Sequence, residues 1–150
     1  KRMYNVGEMV LAIDPGTTTG VAWRDGSGCF GSLEIRGRYE FEEWVALALL
    51  DPVPVTVVIE RWDVRRDTRS KSNQDDPRYI IGYVDGICNA LAHVTYVEQT
   101  PAVAKSFATD DKLRALGWFR GGEGHADDAA RHLLVRLANV RDRSVLEVLL

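Results

Sequence analysis

Met9-Val10-Leu11-Ala12-Ile13-Asp14-Pro15-Gly16 is the stretch on which the rest of the chain turns. Its five consecutive apolar residues leave no polar face, which suits a strand covered by helices on both sides of a sheet. Asp14-Pro15-Gly16 stops the run. Val55-Thr56-Val57-Val58-Ile59 repeats the pattern, and Glu60 follows it directly. If the two strands are parallel neighbours, Asp14 and Glu60 emerge together at the carboxyl edge, where α/β proteins place their ligands.

Outward from these strands the pattern alternates. Gly20-Val21-Ala22-Trp23 and Cys29-Phe30-Gly31-Ser32-Leu33-Glu34-Ile35 read as two strands joined by the turn Asp25-Gly26-Ser27-Gly28. Phe41, Trp44, Val45, Leu47, Ala48 and Leu49 recur at helical spacing up to Asp51-Pro52. Pro77 opens a helix through about His93, Thr95-Tyr96-Val97 is a last strand, and Pro101 begins a helical stretch containing Lys105. Beyond Gly121-Gly122-Glu123-Gly124, the residues Ala126, Ala129, Ala130, Leu133, Leu134 and Leu137 mark a strong amphipathic helix. The expected class is α/β, a five-stranded mixed sheet flanked by α-helices, with residues 1–150 as one domain.

Composition narrows the classes without choosing one. Hydrophobic residues make up 45% of the 150, and no run approaches the roughly 20 apolar residues of a membrane span. Lys1-Arg2-Met3-Tyr4-Asn5 leads into no signal-type apolar stretch, and Cys29 and Cys88 suit a buried, reduced pair. A cytoplasmic protein without a membrane partner is expected. The net charge of −3 offers no general attraction to nucleic acid, so any such attraction must be local. Arg61 to Arg78 is local in that sense: six basic residues face four acids, a balance of +2 against −5 for the remainder. This aperiodic segment reads as a functional loop starting beside Glu60, with Arg61, Arg65, Arg66, Arg69 and Lys71 as candidate phosphate contacts. Lys105 and Lys112 are further candidates, and Trp62 is suited equally to a base stack or to the core.

His125 and Asp128, three apart on the last helix, share one face and complete a possible constellation with Asp14 and Glu60. Three carboxylates and an imidazole in one place call for cations between them, and Mg²⁺ or Mn²⁺ fits such oxygen donors. Each acid also has a plain structural reading. Asp14 then belongs to a turn, Glu60 to a strand end, and Asp127 or Asp128 to a helix first turn. His132, one turn beyond Asp128, reads as a hydrogen-bonded structural histidine within reach of the same place.

Leu11-Ala12-Ile13-Asp14-Pro15-Gly16-Thr17-Thr18-Thr19-Gly20, Val58-Ile59-Glu60 and His125-Ala126-Asp127-Asp128-Ala129-Ala130-Arg131-His132 resemble the three motif blocks of RuvC-like Holliday junction resolvases. Pro101, Lys105 and Leu116-Gly117-Trp118 resemble versions of that family from phages of actinobacteria. The resemblance implies an RNase H-like fold and a metal-dependent endonuclease, a homodimer, acting on four-way or otherwise branched DNA. It implies Asp14, Glu60, His125 and Asp128 as catalytic, metal-binding residues for about two Mg²⁺ ions, with Mn²⁺ able to substitute. It further implies Asp128 rather than Asp127 as the acid and supports Lys105 as a DNA contact; a phage-encoded chain would work in the host cytoplasm.

Two other readings compete with that one. An RNase H-like nuclease on flaps or RNA, or a module that binds branched nucleic acid without cutting it, fits the same residues. Asp14 to Gly20 also resembles the phosphate turn of actin-like and sugar-kinase ATPases, but those need two such domains, which 150 residues cannot hold, so no nucleotide cofactor is expected.

Overall fold

A computed structural model describes residues 8–61 and 75–150. The expectations for Trp62, Arg65, Arg66, Arg69 and Lys71 lie outside the described residues. The elements run β1 (Met9–Asp14), β2 (Thr18–Arg24), β3 (Phe30–Arg36), α1 (Arg38–Ala48), β4 (Val55–Glu60), α2 (Asp75–Ala90) and β5 (Val94–Gln99). Four helices follow: α3 (Pro101–Phe107), α4 (Asp110–Leu116), α5 (Gly124–Asn139) and α6 (Arg143–Leu149). The five strands form one sheet in the order β3-β2-β1-β4-β5. β1, β4 and β5 are parallel, and β2 is antiparallel to both of its neighbours. This is the mixed five-stranded sheet flanked by helices that the sequence leads one to expect.

Side chains alternate across each strand, so each strand feeds two cores. Val10 and Ala12 of β1, Ala22 of β2 and Val58 of β4 pack with Leu133, Leu134 and Leu137 of α5, together with α3, α4 and α6. Leu11, Ile13, Val21, Val57 and Ile59 pack on the opposite face against Phe41 and Val45 of α1 and Ile80 and Val84 of α2. That double burial explains why β1 and β4 carry no polar face. At the sheet margin Phe30 stacks on Trp118, with ring centroids 4.6 Å apart.

Several local expectations are corrected. Cys29 is exposed in the turn between β2 and β3, whereas Cys88 is buried; both are free thiols. Asp25 accounts for the exposure, because its Oδ1 accepts from the backbone N–H groups of Ser27 and Cys29 and so builds a turn that faces outward. α2 (Asp75–Ala90 among the described residues) ends at Ala90, not at His93. The stretch from Pro101 divides into α3 and α4, because the Thr109 hydroxyl accepts the Lys112 N–H and starts a new helix. α6, capped by Asp142, was not expected at all. Among the described residues no helix is long and apolar enough to cross a membrane.

Candidate active site

Strand parity decides what faces α5. Asp14 lies two residues after Ala12, Glu60 two after Val58, and Gln99 two after Val97, and all three predecessors pack in the α5-side core. Register then aligns the positions laterally. Glu34 pairs with Gly20, Gly20 with Asp14, and Glu60 with Gln99, while Ile13 and Ile59 pair just before the two central acids. Glu34, Gly20, Asp14, Glu60 and Gln99 therefore form one transverse row beneath α5.

α5 meets this row along its length. Gly20 permits the approach, since a Cβ there would lie 1.8 Å from the carbonyl oxygen of His125. The His125 backbone N–H donates to Glu34 Oε1 at 3.0 Å, which satisfies a helix-start donor that no capping side chain on α5 itself takes. The His125 ring, half exposed, places Nδ1 3.2 Å from Asp14 Oδ2. Two turns on, His132 is 1% exposed and sets Nε2 2.8 Å from Glu60 Oε2 and Nδ1 2.9 Å from the Gln99 side-chain oxygen. Asp128, between them on the helix, is bound by the Arg131 guanidinium at 3.3 Å.

Asp14 is the electrostatic centre. Burial raises its pKa to about 6; the charges of Glu60 and Asp128 push the same way, and the hydrogen bond and charge of His125 oppose them. The pKa of His125 is raised chiefly by its hydrogen bond to Asp14, against burial, with help from the charges of Asp14, Glu34 and Asp128. All four expected site residues thus stand at one edge, within electrostatic reach of Asp14. Each acid is paired with a basic side chain of α5, and among the described residues no three of His, Cys, Asp and Glu are arranged to hold a metal ion. The carboxylate oxygens of Asp14, Glu60 and Asp128 are nevertheless the kind of donor that suits Mg²⁺ or Mn²⁺.

Asp127 has a different task from its neighbour. It is 4% exposed and accepts the backbone N–H groups of Arg120 at 2.9 Å and Gly121 at 3.0 Å, pinning the loop ahead of α5. Beside Asp128 runs an open groove lined by Lys105, Ala108, Thr109, Asp110 and Arg131. Arg131 also binds Asp110 at 2.8 Å and the Ala108 carbonyl at 3.2 Å. Lys105 therefore reaches the edge of the site. Lys112 is turned to the end of α3, where its ammonium donates to the Phe107 carbonyl at 2.9 Å and lies over the Phe107 ring. Arg61 is exposed, and its N–H donates to the Gln99 carbonyl at 2.7 Å, extending the β4–β5 ladder by one bond past Glu60.

Glu34 and Gln99 were missed from sequence, whereas His132 is the hydrogen-bonded, buried histidine that the sequence led one to expect. Parity alone could have found Gln99, which ends β5 as Glu60 ends β4. Glu34 required the β2–β3 register.

No protein-family model matches the chain, and no curated protein is similar to it. Among solved structures, the chain is similar to the fowlpox virus resolvase crystallised with its substrate Holliday junction DNA, at 17% identity and a TM-score of 0.47. That likeness covers 89% of this chain and 97% of the other.

Proposed function

We propose that the chain is a divalent-metal-dependent endonuclease for four-way or other branched DNA, acting as a homodimer that places paired nicks. The observation that supports this reading is the transverse row. Acids ending two buried parallel strands face His125 and Asp128 on α5, where burial and neighbouring negative charge keep Asp14 protonated up to pH about 6. Asp14, Glu60, His125 and Asp128 would hold Mg²⁺ or Mn²⁺. The chemistry such ions supply when bound is activation of water and stabilisation of charge on the leaving oxygen of a phosphodiester.

The chain's own residues do the remainder. Asp14 and Glu60 are held on rigid strand ends, and His125 and Asp128 on one face of a buried helix, so the donors are positioned by the core rather than by loops. Lys105 stands at the groove beside Asp128, where a DNA phosphate approaching that acid would meet a positive charge. Arg65, Arg66, Arg69 and Lys71, which follow Glu60 in sequence, are the further phosphate contacts of this reading.

The test is a single gel with a labelled four-way junction, a flap, an RNA–DNA hybrid and a plain duplex, with and without Mg²⁺. Wild type should cut the junction only with Mg²⁺, and Asp14→Asn should bind it without cutting. Wild-type binding without cleavage would move the reading to a non-cleaving module. Preference for the flap or the hybrid would leave the nuclease and change its substrate.

A further inference from the structure

We propose that His132 is a positioning residue for Glu60, steadied in turn by Gln99; this rests on the functional reading above. His132 is 1% exposed and cannot touch a DNA strand. It stands on the buried face of α5 beside Leu133, Val135 and Leu137, where an imidazole is costly unless its nitrogens are bonded. Both are. Glu60 Oε2, 2.8 Å from Nε2, accepts, so Nε2 carries the proton that is donated. At Nδ1 the partner is the Gln99 amide, 2.9 Å away, whose oxygen and nitrogen ends can exchange by rotation. In both amide orientations the Nε2–H donation to Glu60 is kept.

The consequence lies at Glu60. Its side chain is 21% exposed and longer by one torsion than that of Asp14, so an unheld carboxylate would sample several orientations at the sheet edge. His132 ties one oxygen, Oε2, from the buried helix. Gln99 joins this support to the backbone, because its carbonyl accepts the Arg61 N–H immediately after Glu60. α5 thus supplies imidazoles seven residues apart to the two central strand-end acids. The half-exposed one, on Asp14, is open to a ligand, and the buried one, on Glu60, is not.

The experiment titrates the whole chain with Mn²⁺ alone, followed by Mn²⁺ electron spin resonance, alongside junction-cleavage kinetics and thermal melts. Wild type, His132→Ala, His132→Gln, Gln99→Leu and Asp14→Asn are compared. His132→Ala should bind Mn²⁺ about 10-fold or more weakly, the range in which outer partners of metal ligands act. Its kcat should fall while KM for the junction stays near wild type, and His132→Gln, which restores an N–H at this depth, should recover most of both losses.

Wild-type Mn²⁺ affinity in a folded His132→Ala overturns the inference, as does a folded His132→Gln no better than His132→Ala. If His132→Ala does not fold, weakened Mn²⁺ binding in folded Gln99→Leu supports the inference, and unchanged binding overturns it. Wild type that binds Mn²⁺ through Asp14 yet cuts no DNA removes the nuclease reading, and the titration still decides the role of His132. Wild type that binds no Mn²⁺ removes both.

Discussion

Replacing Asp14 by Asn should make the metal-free protein more stable while removing cleavage. Asp14 is 7% exposed and its pKa is raised from 3.8 to about 6, first by burial and then by the charges of Glu60 and Asp128. A shift of about two units corresponds to about 3 kcal/mol of preference for the neutral form in the folded protein. Because the folded pKa lies above the unfolded one, the associated stability is complete below pH 3.8 and is lost as pH rises through about 6. At pH 7.5 the wild type therefore carries the whole penalty. Asn has the same shape, no charge, and an oxygen that can still accept from His125.

In chelator at pH 7.5, Asp14→Asn should gain about 2–3 kcal/mol, which for a chain of this size raises Tm by roughly 5–10 °C. At pH 4 the wild-type carboxyl is itself protonated when folded, and the advantage should shrink to under about 1 kcal/mol. Urea melts and thermal scans at the two pH values measure both quantities. Equal or lower stability of the variant at pH 7.5, or a gain of the same size at pH 4, would refute the account of Asp14 as a strained anion. Such a trade of stability for chemistry is expected where like charges are gathered for function.

Other perturbations separate the parts of the site. Gly20→Ala should cost about 1–3 kcal/mol in urea melts through overpacking and should lower cleavage per folded molecule, because the new Cβ must displace the His125 carbonyl. Asp127→Ala should lose about 1–3 kcal/mol by leaving the Arg120 and Gly121 N–H groups unmet, yet retain cleavage at permissive temperature. Asp128→Asn should show the reverse pattern, near-native melting with cleavage abolished; if the two variants exchange phenotypes, the acids have been assigned the wrong way round. Arg65→Ala with Arg66→Ala should weaken junction binding mainly at low salt and flatten the plot of log K against log salt by roughly two units. Unchanged anisotropy-derived affinity at low salt would remove the basic segment from the DNA path.

Much of this architecture is legible from local pattern. Apolar runs without a polar face mark β1 and β4 as central strands, and the 3.6-residue spacing from Ala126 to Leu137 marks α5. The acids that end the two strands follow at once, because a buried strand must surface somewhere and a ligand-binding edge is where it does. Short elements were less readable. α6 buries only Val145 among its seven residues, too little apolar signal to announce a helix, and the α3–α4 break depends on one threonine hydroxyl. Cys29 looked buried because its neighbours are apolar, but the Asp25 turn carries it outward.

Strand identity, the helical face of α5 and the shared face of His125 and Asp128 were set by side-chain periodicity, a property of neighbours in the chain. Which acid meets which base was decided by the tertiary structure. Asp127 and Asp128 are adjacent and chemically identical, yet one holds the loop at Arg120 and Gly121 while the other faces the groove. His132 reaches Glu60 across 72 positions of sequence. Those pairings depend on lateral register between strands and on the close seating of α5 over Gly20, and neither distance along the chain nor residue type encodes a crossing angle.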